Sequence, residues 1–132
     1  MSGKVVFFVS AGGYHAAWQA MSMGLTAAAM GETVTFVFAF GALSALAAGT
    51  FGQASSGAER AAVVRGEDLG AAWPAAMLRD ARSLGSRVVA CDTTVKLCGL
   101  SPAELEASKT LDEVLGLPEI WRLTEGARVL TF

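Results

Sequence analysis

Two short stretches of this 132-residue sequence hold the side chains best placed for covalent or acid–base chemistry. The first is Arg87-Val-Val-Ala-Cys91-Asp92-Thr93-Thr94, where a cysteine ends an apolar run and residues that cap helices follow. Exposed N–H groups at a helix start, and the helix dipole, stabilise a nearby thiolate. Such a thiolate can attack a sulfane sulfur and hold it as a persulfide. Asp92 works against this, because an adjacent carboxylate disfavours a thiolate. Lys96 stands about one helical turn further on and could pair with Asp92. The plain alternative is that Cys91 is a small buried hydrophobe, the commonest fate of a free cysteine. Cys98 follows two turns later. On one helix the two Cα atoms would be about 10 Å apart, too far for an unstrained disulfide. Cys98 therefore reads as core, with a resolving thiol as the lesser reading.

The second stretch is Ser10-Ala-Gly12-Gly13-Tyr-His15. Paired glycines let backbone approach a ligand, a helix start favours an anion, and His15 could donate a proton or a hydrogen bond. Gly-Gly is also ordinary turn chemistry, and the pattern matches no dinucleotide or P-loop fingerprint. The candidate ligand-binding residues are Gly12, Gly13 and His15, with Asp92 and Thr93 beside Cys91. Two cysteines and one histidine cannot alone build a tetrahedral zinc site, so no metal and no cofactor is expected. Trp18, Phe36 and Phe38 read as core rather than as cofactor stackers.

These residues need elements to hold them. Lys4–Ser10 is a short continuous apolar run, as in a strand buried on both faces. A helix from Tyr14 to Met30 carries apolar residues nearly all round and ends at Gly31. Thr33–Ala39 is β-branched and aromatic, hence a strand, and Ala42–Ala48 is a short helix after it. Gly49–Gly57 reads as a loop. Glu59–Gly70 is ambiguous, since Ala61–Val64 suits a short strand or a helical turn. Pro74 opens a helix to about Leu84, and Arg87–Cys91 is a strand. Asp92-Thr93-Thr94 supplies caps for a helix through Cys98, stopped by Gly99. Ser101, Pro102 and Glu104 repeat the capping logic. Pro118 starts a last helix, Gly126 ends it, and Arg128–Phe132 is a terminal strand. Strand–helix–strand order implies right-handed parallel crossovers. The expected fold is a single α/β domain over residues 1–132: an open parallel sheet of four to five strands with helices on both faces, flavodoxin-like in class. The strands beginning near Lys4, Thr33, Arg87 and Ala127 should run parallel. Chemistry in such a sheet sits outside the carboxyl ends of the strands, which selects Ser10–His15, Phe40–Gly57 and Cys91–Thr94. Cys91 should lie there, with the Ser10–His15 turn or a neighbouring subunit closing the pocket.

Hydrophobic residues make up 53% of the chain and charged residues 17%, with a net charge of −2. That balance, with no basic run, argues against nucleic acid. Between Lys4 and Glu59 the one formal charge is Glu32, so this half must be buried by a membrane, a covered sheet or another subunit. Its longest apolar run, Phe36–Phe51, is short of a membrane span and interrupted by small polar residues. No cationic leader precedes a cleavage site, so no secretory peptide is expected. A cytoplasmic homo-oligomer, with both thiols reduced, accounts best for the composition.

Three segments together resemble the DsrE/DsrF-like family, whose members sit in bacterial and archaeal sulfur-relay systems. Val5–Met30 followed by Gly31-Glu32-Thr33-Val34-Thr35 is similar to that family's strand, alanine-rich helix and turn. Val89-Ala-Cys-Asp-Thr-Thr-Val-Lys-Leu-Cys-Gly-Leu-Ser101 is similar to its strand–cysteine–helix segment, and Ala127–Phe132 to its ending. The match covers most of the chain, with Gly49–Trp73 least anchored. The resemblance implies a small α/β subunit of trimers or hexamers. It also implies that Cys91, in the place of the family's cysteine after a central strand, accepts persulfide sulfur from a donor protein and passes it to an acceptor, as a sulfurtransferase or carrier. The alternative is a non-catalytic oligomeric protein that binds a small ligand or a protein partner in the same cleft.

Overall fold

A computed structural model of the chain describes residues 3–132. The described residues form one five-stranded sheet, ordered β4-β3-β2-β1-β5, in which every neighbouring pair is parallel. Its strands are β1 (Lys4–Val9), β2 (Thr33–Phe38), β3 (Arg87–Cys91), β4 (Glu113–Leu115) and β5 (Arg128–Thr131). The four strands expected from the sequence lie parallel in one sheet, and β4 is an addition. Asp112 explains how so short a strand is held. Its backbone N–H donates to Val88 O at 2.8 Å, and its carboxylate accepts from Val88 N–H at 2.7 Å and from Arg82 at 2.8 Å.

The helices are α1 (Tyr14–Ala29), α2 (Phe40–Ala48), α3 (Gly57–Leu69), α4 (Pro74–Ser83), α5 (Asp92–Leu97), α6 (Pro102–Ala107) and α7 (Leu117–Leu123). The ambiguous segment after Gly57 is helix throughout, with no strand at Ala61–Val64. Ser56 Oγ accepts from Glu59 N–H and caps α3 at its first turn. Helix α1 ends where expected: Gly31, at φ 87°, lets the chain turn back so that Gly31 and Glu32 N–H groups satisfy the last carbonyls.

The winding follows from handedness. β1, β2, β3 and β4 step across the sheet in one direction, so right-handed crossovers put all their helices on one face. The β4–β5 connection steps back the other way and must put its helix on the opposite face. The packing agrees. Val5, Phe7, Phe36, Phe38 and Val88 meet Ala17, Met21, Leu43, Leu78 and Val95 in the larger core. Val6, Val37, Val89 and Leu115 meet Ile120 of α7 in the smaller one. Helices therefore cover both faces, as the flavodoxin-like class requires, with α7 against the second. No helix among the described residues is long and apolar enough to cross a membrane.

Candidate functional site

Cys91 is the last residue of β3, and its N-cap conformation (φ −74°, ψ 134°) hands the strand directly to α5. Helix α5 thus begins at Asp92, one residue earlier than an Asp92–Thr94 cap would have it. Cys91 itself is the cap residue, and its side chain makes no capping hydrogen bond. The Asp92 carboxylate is drawn along the helix to Lys96 Nζ at 3.1 Å. The charge that most opposes a thiolate at Cys91 is therefore paired, in an exposed i,i+4 bridge whose net contribution to stability is below about 1 kcal/mol.

The winding gives Cys91 a second property. Strands β3 and β4 are neighbours whose following helices leave to opposite faces: α5 buries Val95 in the larger core, and α7 buries Ile120 in the smaller. In open parallel sheets, sites gather where neighbouring connections part in this way, outside the carboxyl ends of the strands. The residues that end these two strands are Cys91 and Leu115, which are register partners. The Cys91 side chain is half-buried and packs on the α7 side. Continuing the β2–β3 register places Ala39 level with Cys91. The next residue, Phe40, is exposed and has φ 44°, a left-handed conformation that a non-glycine residue adopts only at a cost. Strain of this kind gathers at functional edges, and no periodicity or spacing in the sequence signals it.

The second cysteine does not join the first. Cys98 closes α5, packs on the opposite side of the sheet in the larger core, and its Sγ lies 3.8 Å from Phe40 O. Both cysteines are free thiols.

The Gly12-Gly13-His15 turn is built, but around a group of the chain itself. Glu59 reaches from α3 to the start of α1. Its Oε2 accepts from His15 N–H at 2.8 Å, and its Oε1 accepts from the Ser55 N–H at 2.8 Å and the Ser55 hydroxyl at 2.6 Å. The Ser55 hydroxyl and the His15 amide, against the opposing effect of burial, hold the Glu59 carboxyl down at about 2. A carboxylate is thus the anion that this helix N-terminus accommodates. A Cβ on Gly13 would lie 2.8 Å from Glu59 Oε1, and one on Gly12 would lie 2.8 Å from Gly41 O. The two glycines are needed for these close approaches. The His15 imidazole is exposed, with Nδ1 3.7 Å from Glu59 Oε2. Strand β2 separates this turn from Cys91, a gap of about two strand spacings, or 9–10 Å, and α1 lies on the face away from the Cys91 side chain. The structure therefore brings together Cys91, Asp92, Thr93 and the β4–α7 turn, and keeps Gly12, Gly13 and His15 apart from them. Glu59 was missed, although Ser56-Gly-Ala-Glu59 has the spacing of a capping box.

No cluster of three or more histidine, cysteine or acidic side chains that could hold a metal exists among the described residues. Neither a family model nor a curated protein matches the chain.

Proposed function

We propose that this chain is a sulfur-relay protein of the DsrE/DsrF-like kind, with Cys91 as the persulfide carrier. The observation that carries this reading is the seat of Cys91 at the carboxyl end of β3, where the connections of β3 and β4 part, with Asp92 paired to Lys96. The Cys91 thiolate attacks the outer sulfur of a donor persulfide. A new S–S bond forms, the donor's S–S bond breaks, and the donor leaves as a thiolate. An acceptor thiolate then attacks the outer sulfur of the Cys91 persulfide and releases Cys91. No electron leaves the system and no metal or cofactor is needed. The reading sets the protein in the cytoplasm, where reduced thiols persist, and in a homo-oligomer that meets donor and acceptor proteins. A purely ligand-binding role finds less support, because Glu59 already fills the anion site at the start of α1.

The test is mass spectrometry of the protein after incubation with a sulfane-sulfur donor. A 32 Da increase on the peptide containing Cys91 is expected, lost in Cys91→Ser and kept in Cys98→Ser. Its absence with several donors, or its appearance on Cys98, overturns the reading.

A further inference from the structure

At one edge of the sheet stands β5. Among the described residues β5 pairs with β1 alone. Phe132 exchanges both its backbone bonds with β1, donating to Phe8 O and accepting from Ser10 N–H, each at 2.8 Å. Parallel ladders alternate, so Leu130 also faces β1, and the N–H and C=O groups of Val129 and Thr131 face outward. Edges are ordinarily blunted by charge, proline, a bulge or a covering helix. The opposite edge is: β4 has three residues and carries Glu113, paired with Arg87 at 3.0 Å. Strand β5 has no proline, no bulge and no charge beyond its first residue. Its one charge, Arg128, is at the start of the strand and is held by Glu32. Val129 to Phe132 are uncharged, and Val129 is 46% exposed. Beside β5 runs an open groove of about 580 Å³, floored by Val5, Phe7 and Leu130, walled by Met23 and Met30 of α1, and lined also by the paired Glu32 and Arg128.

We infer that β5 is the dimerisation edge of this protein and that its occupant is the β5 strand of a second copy, running antiparallel. A second copy satisfies the outward hydrogen-bonding groups in a definite register. An antiparallel pair alternates residues that exchange two hydrogen bonds with residues that exchange none. With the twofold axis beside Leu130, Val129 exchanges two bonds with the partner's Thr131, and Thr131 two with the partner's Val129. All the outward groups are then satisfied. Leu130 meets the partner's Leu130 in the close, non-bonded position, on the groove side of the sheet. The two Arg128 residues lie at opposite ends of the paired strands, so no like charges meet. Twofold closure is isologous, and the edge is used up on both copies. This inference stands independently of the sulfur chemistry.

Three variants test it on the full chain. Thr131→Pro removes an outward N–H that the β1 ladder does not use. Met23→Glu places a charge in the groove wall. Leu130→Cys puts two thiols across the axis at a Cα separation of about 4.5 Å, where mild oxidation should link residue 130 to its own copy, as read by mass mapping of the linked peptide. The parent is expected to sediment at micromolar concentration at twice 13.6 kDa or a higher even multiple. Thr131→Pro and Met23→Glu should sediment at half the parent's mass or less with unchanged circular dichroism. If Thr131→Pro does not fold, Met23→Glu and the cross-link decide. A monomeric or trimeric parent, an even assembly that Met23→Glu leaves intact, or failure of residue 130 to link to itself overturns the inference.

Discussion

Replacing Glu59 by alanine should cost this protein a large part of one helix start. Helix α1 has no side-chain cap of its own and no acidic residue in its first turn. The Glu59 carboxylate supplies both from a distance, through His15 N–H at 2.8 Å, while also tying down Ser55. Losing a cap costs about 1–2 kcal/mol, and the bonds to Ser55 add about 1 kcal/mol net. The titration leads to a similar figure. A carboxyl held at about 2 rather than 4.5 would contribute about 3 kcal/mol if wholly shielded; the His15 imidazole beside it is exposed, so about 2 kcal/mol is expected after solvent screening. In urea unfolding with a slope of about 1.5 kcal/mol/M, the midpoint of Glu59→Ala should fall by about 1–2 M at pH 7. The sign of the pH dependence follows from the depressed value. The stabilisation is fully present above the unfolded-state range near 4.5, and is lost as pH falls from there toward about 2. The difference in stability between the parent and Glu59→Gln should therefore be largest at neutral pH and shrink across that window. A cost below about 0.5 kcal/mol, or a difference that does not change between pH 5 and 2, would refute the reasoning.

Three further outcomes follow from close contacts elsewhere. Gly24 lies inside α1, where alanine would ordinarily stabilise by about 0.5–1 kcal/mol; here a Cβ would stand 2.3 Å from Cζ of the fully buried Phe36. Gly24→Ala should instead cost about 1–3 kcal/mol and lower Tm by about 5 °C or more, and an unchanged or raised Tm would count against the packing described. Asp112→Ala removes the clamp on β4 and should cost about 1–2 kcal/mol, with faster amide exchange confined at first to Glu113–Leu115. Mild oxidation should yield no Cys91–Cys98 disulfide within one chain, because the two side chains pack on opposite sides of the sheet; intact-mass and peptide mapping under non-reducing conditions checks this.

Local patterns carried much of the architecture. β1 and β2 are apolar runs that stand out against the glycines beside them, and the helix between them ends on a glycine in the conformation that only glycine takes without cost. What escaped was held by tertiary contacts. β4 is three residues long, and its hydrophobic pattern is too short to have a period; it is a strand because Asp112 is fastened to Val88 and Arg82, residues more than twenty positions away. Helix α3 was ambiguous for a related reason. It lies against α1 but leaves Val64 and Leu69 exposed, and its principal inward group is the charged Glu59. Charge marks a residue as solvent-facing in any reading of periodicity, so a carboxylate turned inward to cap another helix is misread.

The site shows the same division. That Cys91 ends a strand and precedes a helix is legible from Val88-Val-Ala-Cys91-Asp92 alone. That it stands where the connections part is not, because the parting depends on where α7 goes, and this depends on strand order. Had β5 joined the sheet beyond β4, the last crossover would have stepped in the same direction as the others. Right-handedness would then have put α7 on the face of α1 and α5. The connections of β3 and β4 would not have parted beside Cys91, and its side chain would have faced a side without a helix. The return of the chain to β1 decides both matters at once. It sends α7 to the second face, where Ile120 covers Val89 and Leu115 and the Cys91 side chain packs beside them. It also leaves β5, with its outward Val129 and Thr131 groups, as the far edge of the sheet. The setting of Cys91 proposed for sulfur transfer and the edge inferred for dimerisation are thus two consequences of one reversal in the winding.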